Sequence, residues 1–124
     1  MIQPLLLVTL GGGLGSALRF LATRLVARYF PDHLPVGTLV VNITGCFLAG
    51  LLLGLATRHD ASHSLLRAFF LTGLCGGYTT FSAFSLDNIS LLQQGRLFPF
   101  LFYTLATLLV GLFSAWLGLR ITSP

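Results

Sequence analysis

A chain of 124 residues that is 55% hydrophobic and 8% charged, with net charge +4 and a mean hydropathy of +0.90, lies outside the composition of a soluble domain and reads as an integral membrane protein. All seven basic residues are arginines, scattered as Arg19, Arg24, Arg28, Arg58, Arg67, Arg96 and Arg120; without a basic stripe there is no nucleic-acid surface. Without a lysine there is no Walker-type phosphate loop.

Four apolar segments follow in chain order: Leu5 to about Ala27, Val36 to about Ala56, Leu65 to Leu92, and Phe98 to Ile121. Each meets the roughly 20 residues needed to cross a bilayer. The intervening "FPDHLPVG" (Phe30 to Gly37), "RHDASHS" (Arg58 to Ser64) and "QQGRLFP" (Gln93 to Pro99) carry the prolines, histidines and charge expected of turns. The chain thus reads as one four-helix transmembrane unit over residues 1–124. Its N-terminus lacks a basic region before the first apolar run, so that run reads as a span and not as a cleaved signal peptide.

The first segment contains "GGGLGSA" (Gly11 to Ala17), the second Gly50 with Gly54, and the third Gly73 with Gly77. Small residues four apart share a helix face and predict close helix contacts. Arg19 lies about two-thirds along the first span, where it either faces an aqueous vestibule that gathers anions or snorkels to the far interface. Asn42, in "GTLVVNITGCF", is the second span's one amide side chain and must find hydrogen-bonding partners if buried. Cys46 and Cys75 fall within apolar segments and read as small packing residues.

The third segment raises a question of length. A continuous helix from Ser64 to Leu92 would be roughly 43 Å long against a hydrocarbon core of ~30 Å, and "GLCGGYTTFSAF" (Gly73 to Phe84) interrupts it with glycines and hydroxyls. The reading places a break at Gly76-Gly77, which frees carbonyl oxygens near the midplane as ligands for a hard monovalent cation, with "TTFSAF" opening a new helical turn. Phe81 and Phe84 are three apart and share a face. They are either packed core or a pair whose positive ring edges meet an anion. In the fourth segment Tyr103, Thr104 and Thr107 supply hydroxyls, with Tyr103 and Thr107 on one face.

Catalytic and coupled-carrier readings find no support. His33, His59 and His63 lie in loops while Ser82, Ser85 and Ser114 lie in spans, so no nucleophile meets a base. Asp87 sits near the end of the third segment and reads as interfacial, leaving no carboxylate deep in the bilayer for a proton-coupled carrier.

Four spans place both termini and the middle loop on one side. Arg58, Arg67 and Arg120 then fall on that side and Arg24, Arg28 and Arg96 on the other, with Arg19 too deep to assign. An even count gives no orientation bias. Such a chain can insert both ways, and oppositely inserted copies can pair about a two-fold axis in the membrane plane.

Together "GGGLGSALRF", "GTLVVNITGCF", "GLCGGYTTFSAF" and "GRLFPFLFYTLAT" (Gly95 to Thr107), in this order, resemble the small bacterial fluoride channels called Fluc or CrcB. The resemblance implies an antiparallel, dual-topology homodimer with two pores in the bacterial inner membrane, passing fluoride passively and protecting the cell from its toxicity. It implies a central structural sodium ion on the carbonyls of Gly76 and Thr79, anion contact by Phe81 and Phe84, and pore-facing Asn42, Ser82, Tyr103 and Thr107. Gly111 departs from members that carry a hydroxyl there. A small multidrug-type carrier, expected to hold an acid in its first span, and a structural or regulatory membrane subunit are the alternatives.

Overall fold

In the computed structural model, which describes residues 1–30, 33–58 and 64–124, every regular element among the described residues is helical. Helix α1 is Ile2–Ala27 and α2 is Val36–Arg58. The next stretch runs through Ser64–Leu66, Arg67–Cys75 and Gly76–Tyr78, which together are called α3; α4 is Phe81–Gln93 and α5 is Leu97–Thr122. Pro31, Asp32 and residues 59–63, read above as parts of turns, lie outside the described residues.

Helices α1, α2 and α5 are each long and apolar enough to cross a membrane. Their leucines and phenylalanines remain largely exposed, as lipid-facing side chains must be, and the chain is a multi-pass integral membrane protein. Helix α4, with 13 residues, rises only about 20 Å. Helices α3 and α4 therefore reach across the bundle only in tandem.

The expected small-residue contacts join helices that are not neighbours in sequence. Gly11 and Gly15 of α1 lie against the backbone of 69–78, and Gly50 and Gly54 of α2 against that of 115–123. Numbering rises together along both contacts, so α1 with α3 and α2 with α5 are parallel pairs. At Gly50 an added Cβ would overlap the carbonyl oxygen of Ala115 and stand 3.0 Å from the Leu119 amide nitrogen. Between apolar helices in lipid, such backbone approach supplies the packing energy that hydrophobic burial cannot. Arg58 donates to the Ser123 carbonyl at 3.2 Å, and Arg96 donates to the His33 carbonyl. These contacts hold the end of α2 beside the end of α5, and the start of α5 beside the α1–α2 connection.

The break in the third segment is present but lies further along than the glycines suggested. Gly76–Tyr78 stays helical, and the extended residues are Thr79 (φ −77°, ψ 156°) and Thr80 (φ −150°, ψ 118°). Gly77 is used for proximity, not for backbone freedom: a Cβ there would collide with Gly12 of α1. Ahead of the break, Arg67–Cys75 is π-helical, a rare wide form frequent at functional sites.

Helices α4 and α5 are joined by a tight turn. Gly95 has φ 69°, the Arg96 amide donates to the Leu91 carbonyl at 2.9 Å, and the Gly95 amide donates to that of Leu92 at 3.0 Å. This paired closure is a Schellman turn, which favours glycine at its left-handed position. Pro99 follows in the first turn of α5, where its missing N–H costs nothing.

Candidate functional site

The site grows from the break. Two extended residues inside an apolar bundle leave backbone groups that need partners, and Asn42 supplies them. The Thr80 amide donates to Asn42 Oδ1 at 2.8 Å, and Asn42 Nδ2 donates to the Thr80 carbonyl at 3.0 Å. One donor and one acceptor on the same residue fix which end of the side-chain amide is which. Thr80 then caps α4: its Oγ1 accepts from the Ala83 amide at 3.1 Å and shares a hydrogen bond with the Ser82 hydroxyl at 3.2 Å. The arrangement anchors the N-terminus of α4, the positive end of its helix dipole.

Beside this junction lies a groove of about 280 Å³ between α2, α4 and α5. Asn42 and Cys46 of α2, Thr79, Thr80, Phe81 and Phe84 at the break, and Thr107 and Gly111 of α5 all line it, and no lining residue is charged. The Thr107 hydroxyl oxygen is buried with no hydrogen-bond partner among the described residues. Asn42 has a second amide hydrogen beyond the one given to Thr80. Neutral donors and a helix N-terminus beside an uncharged groove suit a small anion that must bind and leave.

Aromatic rings continue from the groove into the core. Phe81 and Phe84 have centroids 5.5 Å apart, and Phe84 and Tyr103 5.3 Å, with interplanar angles of 46° and 44°. Tilted rings present edges as well as faces. Phe81 and Phe84 both line the groove, but Phe84 is 7% exposed and Phe81 74%.

Tyr103 is 1% exposed, and its hydroxyl donates to Asp87 Oδ2 at 3.0 Å. It therefore does not line the groove with Thr107, despite the four-residue spacing. Asp87 lines a separate polar pocket of about 190 Å³ with His33, Ser90, Gln94 and Arg96, at the α4–α5 turn. The interfacial reading of Asp87 agrees with this position. Ser82 is exposed and bonds to Thr80 outside the groove lining. Arg19 is partly buried on α1 and does not line the groove.

Two features have no counterpart in the reading of the sequence. The first is the pair of hydrogen bonds between Asn42 and Thr80, since an amide in a span announces a partner but not which one. The second is Asn88, buried on α4, whose Oδ1 accepts from the Thr104 hydroxyl at 3.0 Å. The signal used for Asn42, an amide in an apolar segment, was equally present there.

Comparison with known proteins gives the lineage. The family described as CrcB-like protein, Camphor Resistance (CrcB), matches residues 6–119. This chain belongs to the CrcB family. Among its relatives, the Fluoride-specific ion channel FluC of Flavobacterium psychrophilum is 43% identical over 120 residues, 97% of each chain. The protein of that name from Aquifex aeolicus is 45% identical over 111 residues, 90% of each chain. That of Pseudomonas putida is 43% identical over 122 residues, 98% of each. The CrcB match takes in α2, α3 and α4 whole and most of α1 and α5, so it covers the groove and every residue that lines it.

Proposed function

We propose that this chain is a fluoride-selective channel of the bacterial inner membrane that lets cytoplasmic fluoride leak out passively and involves no covalent chemistry. The observation that carries the reading is the uncharged groove at the Asn42–Thr80 junction, in a chain similar to fluoride-specific channels over 90% or more of its length. Fluoride is small and strongly hydrated, so a pathway must replace water's donors at each step. Here Asn42 offers its spare amide hydrogen, Thr107 its hydroxyl, α4 its first amides, and Phe81 and Phe84 their ring edges. A fixed positive charge in the narrow part would hold the ion too tightly to release it.

The working unit is an antiparallel homodimer. Phe81 lines the groove and yet is largely exposed, and a second copy inserted the opposite way would cover it. The even arginine count removes the bias that would forbid such a pair. Two readouts on one tagged protein test this: it should restore growth on fluoride to a bacterium lacking fluoride export, and a C-terminal reporter should label both faces of the membrane. Failure to restore growth contradicts the function, and one-sided labelling contradicts the dual topology.

A structural sodium ion fits the break. The Thr80 amide, which a continuous helix would close onto the Gly76 carbonyl, is turned to Asn42, and the Ala83 amide, which would close onto Thr79, is turned to the Thr80 hydroxyl. Neither of these amides is then available to the two carbonyls, which are left as ligands on offer. Among the described residues no group of three or more His, Cys, Asp or Glu could hold a metal ion, so neutral main-chain oxygens suited to a hard monovalent cation are the donors on offer. Held by the carbonyls of Gly76 and Thr79, sodium would supply the positive charge that offsets their dipoles. Replacing sodium by a large organic cation should abolish fluoride flux and lower the thermal transition of the purified protein. Unchanged flux and stability would remove sodium from the account.

A further inference from the structure

We propose that Asn88 and Thr104 are a positioning pair that sets the rotation of α4 about its own axis, and through it the aim of Phe81 and Phe84. The inference rests on the channel reading above. Because Thr79 and Thr80 are extended, α4 is not held in register by helical continuity with α3. Its N-terminus is pinned at one residue, Thr80, by the single side chain of Asn42, about which the helix can still turn.

Further along, two consecutive residues of α4 bond to two consecutive residues of α5. Asp87 accepts from Tyr103 and Asn88 accepts from Thr104, each at 3.0 Å. Successive helical residues point about 100° apart, so one such bond leaves a pivot while two define an orientation. Asn88 is one turn beyond Phe84, and both are buried, so rotation that loosened the Asn88 bond would swing Phe84 off the Tyr103 ring. Asn88 and Thr104 do not line the groove. Their effect on an ion is exerted through the two phenylalanines.

The test uses the full-length protein in vesicles loaded with fluoride or with chloride, with efflux read by ion-selective electrodes and assembly checked by chromatography. Asn88→Leu and Thr104→Val should each lower fluoride efflux about tenfold and narrow the fluoride-to-chloride ratio, and the double variant should be no worse than either single. Thr104→Ser, which keeps the hydroxyl, should behave as wild type, and the exchanged pair Asn88→Thr with Thr104→Asn should recover efflux and selectivity. Assembled single variants with wild-type rate and ratio would overturn the positioning role. If the single variants do not assemble, the exchanged pair decides: assembled and selective, it supports the role; assembled and unselective, it overturns it. Wild-type vesicles that retain fluoride would instead overturn the channel reading.

Discussion

Asn42→Asp is expected to reduce fluoride efflux about a thousandfold. A carboxylate 4 Å from a fluoride ion costs roughly 4 kcal/mol at an effective dielectric constant near 20, which corresponds to about three factors of ten. The same change removes both amide hydrogens. The Thr80 carbonyl, which now accepts from Nδ2 at 3.0 Å, would face a second acceptor, while the Thr80 amide would keep its partner. Asn42→Leu separates charge from shape: it leaves the Thr80 amide and carbonyl both unpaired, at about 1–3 kcal/mol each, and should impair folding as well as flux. An assembled Asp variant conducting at the wild-type rate would exclude Asn42 from the pathway.

Phe81→Ile and Phe84→Ile should both cut fluoride flux sharply, but with different effects on stability. An aliphatic side chain fills volume without offering a positive ring edge. Phe81 is largely exposed and makes a ring contact with Phe84, so its replacement should lower the thermal transition less than that of Phe84. Phe84 is buried between Phe81 and Tyr103; its replacement removes two aromatic contacts worth about 0.5–1.5 kcal/mol each and should lower the transition measurably. If either ring is only packing, the assembled isoleucine variant conducts nearly normally, and the edge mechanism fails for that residue.

The helices were legible in the sequence because lipid imposes a simple rule on length and polarity. The segment read as Val36 to about Ala56 is the helix Val36–Arg58, and that read as Phe98 to Ile121 is Leu97–Thr122. The glycine spacings were also legible, since residues four apart share a face in any helix. They did not say which helices meet; that depends on the parallel pairing of α1 with α3 and α2 with α5, which is a tertiary property.

The position of the break was misread for a physical reason. Gly76 and Gly77 are the residues with most backbone freedom, but freedom does not decide where a helix opens inside an apolar bundle. A partner for the freed groups does, and Asn42 stands opposite Thr80. A donor–acceptor amide on one helix thus determined the conformation of another, 38 residues away in sequence. Likewise Tyr103 and Thr107 share a face by spacing, yet Asp87 takes the Tyr103 hydroxyl and leaves Thr107 in the groove.

The most direct measurement is anion efflux from vesicles containing the purified wild-type protein, with the potassium salt of fluoride or chloride trapped inside, sodium present on both sides and a potassium ionophore to balance charge. The account predicts that fluoride empties without any coupled proton or drug gradient while chloride stays trapped. Fluoride retained as in protein-free vesicles, or chloride lost as fast as fluoride, would contradict it.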